Sequence, residues 1–285
     1  GSVFRGLGAS KLPLITVALA CVVNIFGALL LVAVFHLGAA GAALATVFAQ
    51  AISVVLSLLV IARRKLPFTF RKEQLRFDRP LTAGILRLGV PIALQDVLVG
   101  VSFLVILAIV NSLGLLQSAG MGIAEKVCAF VMLLPSAFSQ SVSAFVAQNT
   151  GAAKPDRAKK ALRYSVVTSL CSSVFVFYFN FFHGDLLAGI FAIDRAGILE
   201  AADYLKAYAI DCLLTSFLFC FVGYFSGLGK TVFVMAQGIL GAFGVRIPVS
   251  FFMSRLPNVR LFYIGLATPC STVVQVILCL AYYAH

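Results

Sequence analysis

The chain has 285 residues, of which 61% are hydrophobic and 11% charged, and its mean hydropathy is +1.05. A soluble domain carries about 25% charged residues, so this composition excludes the soluble class and points to a membrane protein. The formal net charge of +12 needs no nucleic acid, since topology and contact with anionic lipid account for it.

In chain order, eight apolar spans are predicted, over 14–35, 38–61, 90–114, 119–148, 161–182, 204–228, 232–254 and 261–283. All are read as helices, because a backbone in lipid must satisfy its own hydrogen bonds. The alternating polar and apolar pattern of a β-barrel is absent. The expected fold class is therefore an all-α polytopic membrane protein with eight transmembrane helices. The first apolar run is not a signal peptide, because it lacks a small-residue cleavage site and further spans follow it.

The connecting segments carry the charge. Residues 62–89 hold Arg63, Arg64, Lys65, Arg71, Lys72, Arg76, Arg79 and Arg87 against only Glu73 and Asp78. This stretch reads as a basic cytoplasmic linker with a short amphipathic helix on the headgroups, between 1–61 and 90–285. A second basic loop, 149–163, holds Lys154, Arg157, Lys159, Lys160 and Arg163. With 1–13 (Arg5, Lys11) and 229–231 (Lys230) on the same side, that side holds sixteen of the 22 basic residues. The opposite side has Arg195, Lys206, Arg255 and Arg260. The positive-inside rule makes the rich side, with the N-terminus, cytoplasmic in a cell membrane. The stretch 184–206 is expected as the main external excursion, its apolar residues at 186, 187, 190, 191 and 193 suiting a helix on the surface.

Seven cysteines, at 21, 128, 171, 212, 220, 270 and 279, all lie in apolar runs without a C-x-x-C pair. They read as small buried hydrophobes, and three scattered histidines form no ligand set, so neither metal nor cofactor is expected.

One phrase occurs twice. Phe4-Arg5-Gly6-Leu7-Gly8 returns as Phe225-Ser226-Gly227-Leu228-Gly229, an offset of 221, and Leu44-Ala45-Thr46 returns as Leu266-Ala267-Thr268 at 222. Two anchors at nearly one offset indicate an internal repeat. Six predicted spans separate the copies, and an even number makes the repeats parallel. The expectation is a twelve-span, 6+6 protein of which this chain lacks four spans at its N-terminus. Phosphate binding by the glycines is excluded: neither G-x-x-x-x-G-K-[ST] nor G-x-G-x-x-G is present. The glycines instead end one helix and turn the chain into the next.

The phrases FRGLGASKLP, FSGLGKT, GAALATVFAQ, LGVPIALQ, AFVAQNTGAAKPDRAKKA, VRIPVSFF and GLATPCSTVVQ resemble those of the multidrug and toxic-compound extrusion (MATE) transporters, in order and spacing. The resemblance implies two six-helix lobes around a central cleft, with these spans corresponding to helices five to twelve. It also implies a secondary antiporter that exports amphipathic or cationic compounds against H⁺ or Na⁺ by alternating access.

Charges inside spans are expensive, and their default reading is functional. Here they are Asp96, Glu125, Lys126, Asp211 and Arg246. At 1.5 Å rise per residue, Glu125, Lys126, Asp211 and Arg246 are expected at one depth, about 10–12 Å below the outer surface, where they can neutralise one another. Asp96 stands nearer the cytoplasmic side. Arg246 with an acid, and Lys126 with Asp211, are the pairings a purely structural role predicts. Gln95, Gln140, Gln237 and Gln275 either line a cleft or bond between helices.

The chain departs from the family pattern. The acid that many members carry four residues after an asparagine on helix five is absent: Asn24 remains, but Ala28 follows. The acids of helices seven and ten fall at Val99 and Thr215. Asp96 lies three residues before Val99 and Asp211 four before Thr215, on the same helix faces, so the acidic function is expected one turn away. The competing functions are a flippase for lipid-linked sugars, a membrane enzyme and a fragment inactive by itself. A flippase would need more intramembrane basic residues than Lys126 and Arg246. An enzyme would need clustered acids, a Ser/His pair or a metal set.

Overall fold

In a computed structural model of the chain, residues 2–6, 8, 11–63, 78–257 and 259–285 are described. Every element in them is helical. Eight are long and apolar enough to cross a membrane: α1 (Lys11–Val34), α2 (Gly38–Val60), α3 (Arg79–Asn111), α4 (Leu115–Gly151), α5 (Pro155–Phe182), α6 (Arg195–Gly227), α7 (Thr231–Met253) and α8 (Leu261–Ala284).

Two boundaries differ from expectation. The end of the basic segment, Arg79 to Gly89, is not linker but the first turns of α3. Pro80 in the first turn costs no hydrogen bond there, and Leu81, Ile85, Leu86 and Leu88 favour helix. The amphipathic helix expected earlier in that segment lies outside the described residues. The external excursion is also shorter than 184–206: a short helix spans Gly184–Gly189, and α6 begins at Arg195. Asp194 sets this start, its carboxylate accepting the Gly197 N–H at 2.9 Å.

Prolines explain most irregularities of the spans. Each removes the N–H that the carbonyl four residues earlier would accept. Pro135 follows a turn at Met132 in α4, and Pro269 a turn at Leu266 in α8. Pro248 follows a π-helical stretch, Leu240–Arg246, in α7.

The chain forms two compact units, Gly1–Asp78 and Arg79–His285. The first is the α1–α2 hairpin. Its helices approach where Gly27 faces Ala45, with 3.4 Å left for a Cβ, and Asn24 donates to Thr46 at 3.1 Å.

In the second unit, α6 is the central helix, and α4, α5 and α8 pack around it. Small residues let them approach closely. A Cβ on Gly227 would stand 2.7 Å from the Ser143 carbonyl oxygen of α4, and Gly223 lies against Ser139 of the same helix. Gly265 of α8 lies against Ala207 and Tyr204. Two apolar clusters fill the ends of this bundle. One joins Ile106, Val110, Met121, Leu205, Leu261 and Ile264; the other joins Val142, Val146, Leu162, Phe221, Phe225 and Val234. Where α8 begins, Asp203 of α6 pairs with Arg260 at 2.6 Å and accepts the Phe262 N–H at 3.2 Å, capping the new helix.

The repeated phrase makes one turn twice. Gly8 and Gly229 have φ of +79° and +76°. Gly8 N–H donates to the Arg5 carbonyl at 3.1 Å, and Gly229 N–H to the equivalent Ser226 carbonyl at 3.0 Å. A left-handed glycine just after a helix is what the sequence pattern required.

Candidate functional site

Between its two apolar ends, α6 carries a buried polar stripe. Tyr204, Tyr208, Asp211 and Thr215 follow one another at spacings of four, three and four residues, which keeps them on one face. α8 presents Thr268, Thr272 and Gln275 at the same spacing, all buried. Ser271 donates to the Gly241 carbonyl of α7 at 2.7 Å, and Gln275 donates to the Ser271 hydroxyl at 3.0 Å. Gln275 also rests directly on Gly241, which has no side chain to exclude it. The π-helical stretch of α7 is thus anchored to α8 immediately before Arg246.

Asp211 is 1% exposed. One carboxylate oxygen accepts the Thr215 hydroxyl at 3.0 Å, while the other has no hydrogen-bond partner. Thr272 lies beside it, and Arg246 is near enough to act on it electrostatically. Yet no ion pair joins the two. Arg246, 6% exposed, donates instead to the Ser102 hydroxyl of α3 at 3.3 Å and covers the Phe103 ring at 4.5 Å. Its Nε has no partner.

The other expected residues are distributed differently from a single neutral layer. Glu125 is half-buried on α4, and Cys128, one turn on, lies within electrostatic reach of both Glu125 and Asp211. Lys126 is exposed and forms no pair with Asp211, because adjacent helical positions point about 100° apart. Gln95 of α3 is half-buried against Gly238 of α7, and its side-chain oxygen has no partner. Asp96, its neighbour, is exposed on α3. Thr215 belongs to the site as the hydrogen-bond donor to Asp211. Asn24 belongs to the first unit and is engaged there by Thr46. Neither pairing expected of a purely structural role is formed.

Sequence reasoning did not single out Ser102, Phe103, Tyr204, Tyr208, Thr268 or Thr272. The signal was present in part: the polar positions of α6 and α8 repeat with one helical spacing inside apolar runs. Ser102 and Phe103 carried no such signal.

The MatE family model matches residues 91–252, more than half of the chain. Two proteins of Bacillus subtilis, the probable multidrug resistance proteins YoeA and YpnP, are each 27% identical, over 98% and 92% of this chain. The chain spans only 62% and 56% of their respective lengths. An FAD transporter of Shewanella oneidensis is 28% identical over 67% of this chain and 43% of its own. Among solved structures, a MATE in complex with MaL6 superposes with a TM-score of 0.90 over 98% of this chain and 63% of its own, at 15% identity. An outward-facing MATE family transporter of the MOP superfamily gives 0.89 over the same shares. These relatives are transporters rather than enzymes, and their fold is the one described above. The chain belongs to the MATE family.

Proposed function

We propose that this chain forms part of a secondary active antiporter that exports amphipathic or cationic drugs or metabolites in exchange for H⁺ or Na⁺ by alternating access. It works together with further helices supplying the rest of a two-lobe, 6+6 transporter. The parallel repeat supports this, as does the length of the relatives relative to this chain. The protein lies in the cell membrane, with the basic segments cytoplasmic and in contact with anionic headgroups.

The observation that carries the reading is Asp211: a carboxylate buried mid-helix, incompletely hydrogen-bonded, with a nearby arginine that does not pair with it. Buried acids of this kind mark ion pathways in transporters. Thr215 and Arg246 tune it, and Glu125 lies on its α4 side. Asp96, Gln95, Lys126 and Asn24 supply polar groups toward the substrate path.

The test is transport by the complete two-lobe transporter in proteoliposomes with an imposed proton or sodium gradient. A fluorescent lipophilic cation is one cargo and flavin adenine dinucleotide the other, since one relative is named for it. Gradient-driven cation flux abolished by Asp211→Asn is expected. Flux of neither cargo, or flux indifferent to Asp211→Asn, would overturn the reading.

A further inference from the structure

The arrangement around Asp211 identifies its ligand and the element that responds. We infer that Asp211 binds H⁺ and not Na⁺, and that Arg246 reports its protonation state by moving between α3 and Asp211. This rests on the reading of Asp211 as the coupling group.

The first argument is the supply of oxygen. Sodium sites in transporters use carbonyls freed where a helix unwinds. Here α6 is one uninterrupted helix from Arg195 to Gly227, so the carbonyls around Asp211 are engaged in it. The neighbouring hydroxyls are committed as donors: Thr215 to Asp211 itself, and Thr272 to the Thr268 carbonyl at 3.1 Å. The permanent charge of Arg246 further opposes a metal cation at this place. A proton needs one oxygen, and Asp211 has one without a hydrogen-bond partner.

The second argument is the position of Arg246. An ionised Asp211 with a guanidinium in reach, both buried, would form the ion pair, since two separated buried charges are far costlier. The guanidinium instead rests on the Phe103 ring and the Ser102 hydroxyl. An aromatic face and a hydroxyl are the contacts of a cation whose carboxyl neighbour is neutral. Release of the proton leaves an anion. The anion draws Arg246 off α3, breaking its bond to Ser102, and α3 is freed from α7 at that level. Reprotonation from the opposite side restores the first position. Proton binding is thereby converted into the attachment of α3, the helix that carries Gln95 and Asp96.

The groups facing Asp211 are Arg246 from α7 and Cys128, with Glu125 beyond it, from α4. Tyr204, Tyr208 and Cys212 accompany it on α6, while α8 brings Thr268 and Thr272. Of these, Arg246 is the cation, and Glu125 is a second acid whose variant serves as a control.

The chain contains no tryptophan, so Phe103→Trp places a single indole under the guanidinium. The 285-residue chain carrying this substitution is reconstituted in lipid nanodiscs, and its emission is titrated with pH in sodium and in choline buffers. One transition is expected, the same in both buffers. It should be lost in Asp211→Asn, shifted in Asp211→Glu, and retained in Glu125→Gln. An infrared carboxyl band that disappears in Asp211→Asn checks the assignment without the reporter. A transition driven by sodium at constant pH would overturn the proton assignment. Emission constant across pH, or a transition unchanged in Asp211→Asn, would overturn the switch. If Asp211→Asn fails to fold, Asp211→Glu decides: an unshifted transition overturns the inference. The readout is independent of cargo, so a responsive indole without export would remove the transport reading and leave this one standing.

Discussion

Thr215 donates its hydroxyl to Asp211 at 3.0 Å, one turn earlier on the same helix, and both side chains are at least 98% buried. Thr215 stands at the position where the family resemblance led one to look for an acid. The acid is a turn away and holds that position through a hydrogen bond. Thr215→Val keeps the shape and removes the donor, leaving a second carboxylate oxygen without its partner. A loss of about 1–3 kcal/mol is expected, with Thr215→Ser close to neutral. Thermal unfolding in detergent, followed by circular dichroism, measures both.

The close approach of α4 to α6 makes a second prediction. Gly223 and Gly227 meet backbone of α4, which cannot rotate away as a flexible side chain would. Gly223→Ala and Gly227→Ala should each cost about 1–3 kcal/mol through overpacking. Gly122→Ala, on an open face of α4, should raise helix stability slightly, because a Cβ there meets nothing within 4 Å. The contrast appears as opposite shifts in unfolding temperature.

Asp203 serves two partners, the exposed Arg260 guanidinium and the Phe262 N–H at the start of α8. The second matters more, since an ion pair with an exposed arginine contributes little. Asp203→Ala should cost about 1–2 kcal/mol as a lost cap, and Arg260→Ala well under half of that. Equal losses would mean that the ion pair dominates. Hydrogen exchange at the Phe262 amide locates the effect, rising in the first variant only.

The paired turns predict paired costs. Gly8 and Gly229 share a left-handed conformation, so alanine should cost about 1–2 kcal/mol at either place. Asparagine should cost less at both, because its side chain tolerates that region. Unfolding of the single variants gives the comparison. A large penalty at one position and none at the other would break the structural equivalence of the two copies.

Some of this was legible in the residues. Fixed helical spacing placed Asp211 and Thr215 on one face before any coordinates. The repeated phrase specified a helix-ending turn in both copies. What sequence could not supply was partnership across helices. Lys126 and Asp211 occupy spans whose lengths suggest equal depth, yet depth says nothing of azimuth, and Lys126 points outward. Ser102, 144 residues from Arg246, carries no mark in the chain of being its partner.

The sequence by itself determined the class of this protein, its eight helices, the parallel repeat and the family. Each follows from local quantities: apolar length against the thickness of a bilayer, charge in the connections, glycine where the backbone turns left-handed. Only the tertiary structure decided which buried charges meet. A guanidinium chooses among contacts by a few ångströms of helix rotation, and Arg246 lies on Ser102 and Phe103 rather than on Asp211. That choice is fixed by how α3, α6 and α7 pack, with the π-helical stretch before Pro248 setting the angle from which Arg246 enters.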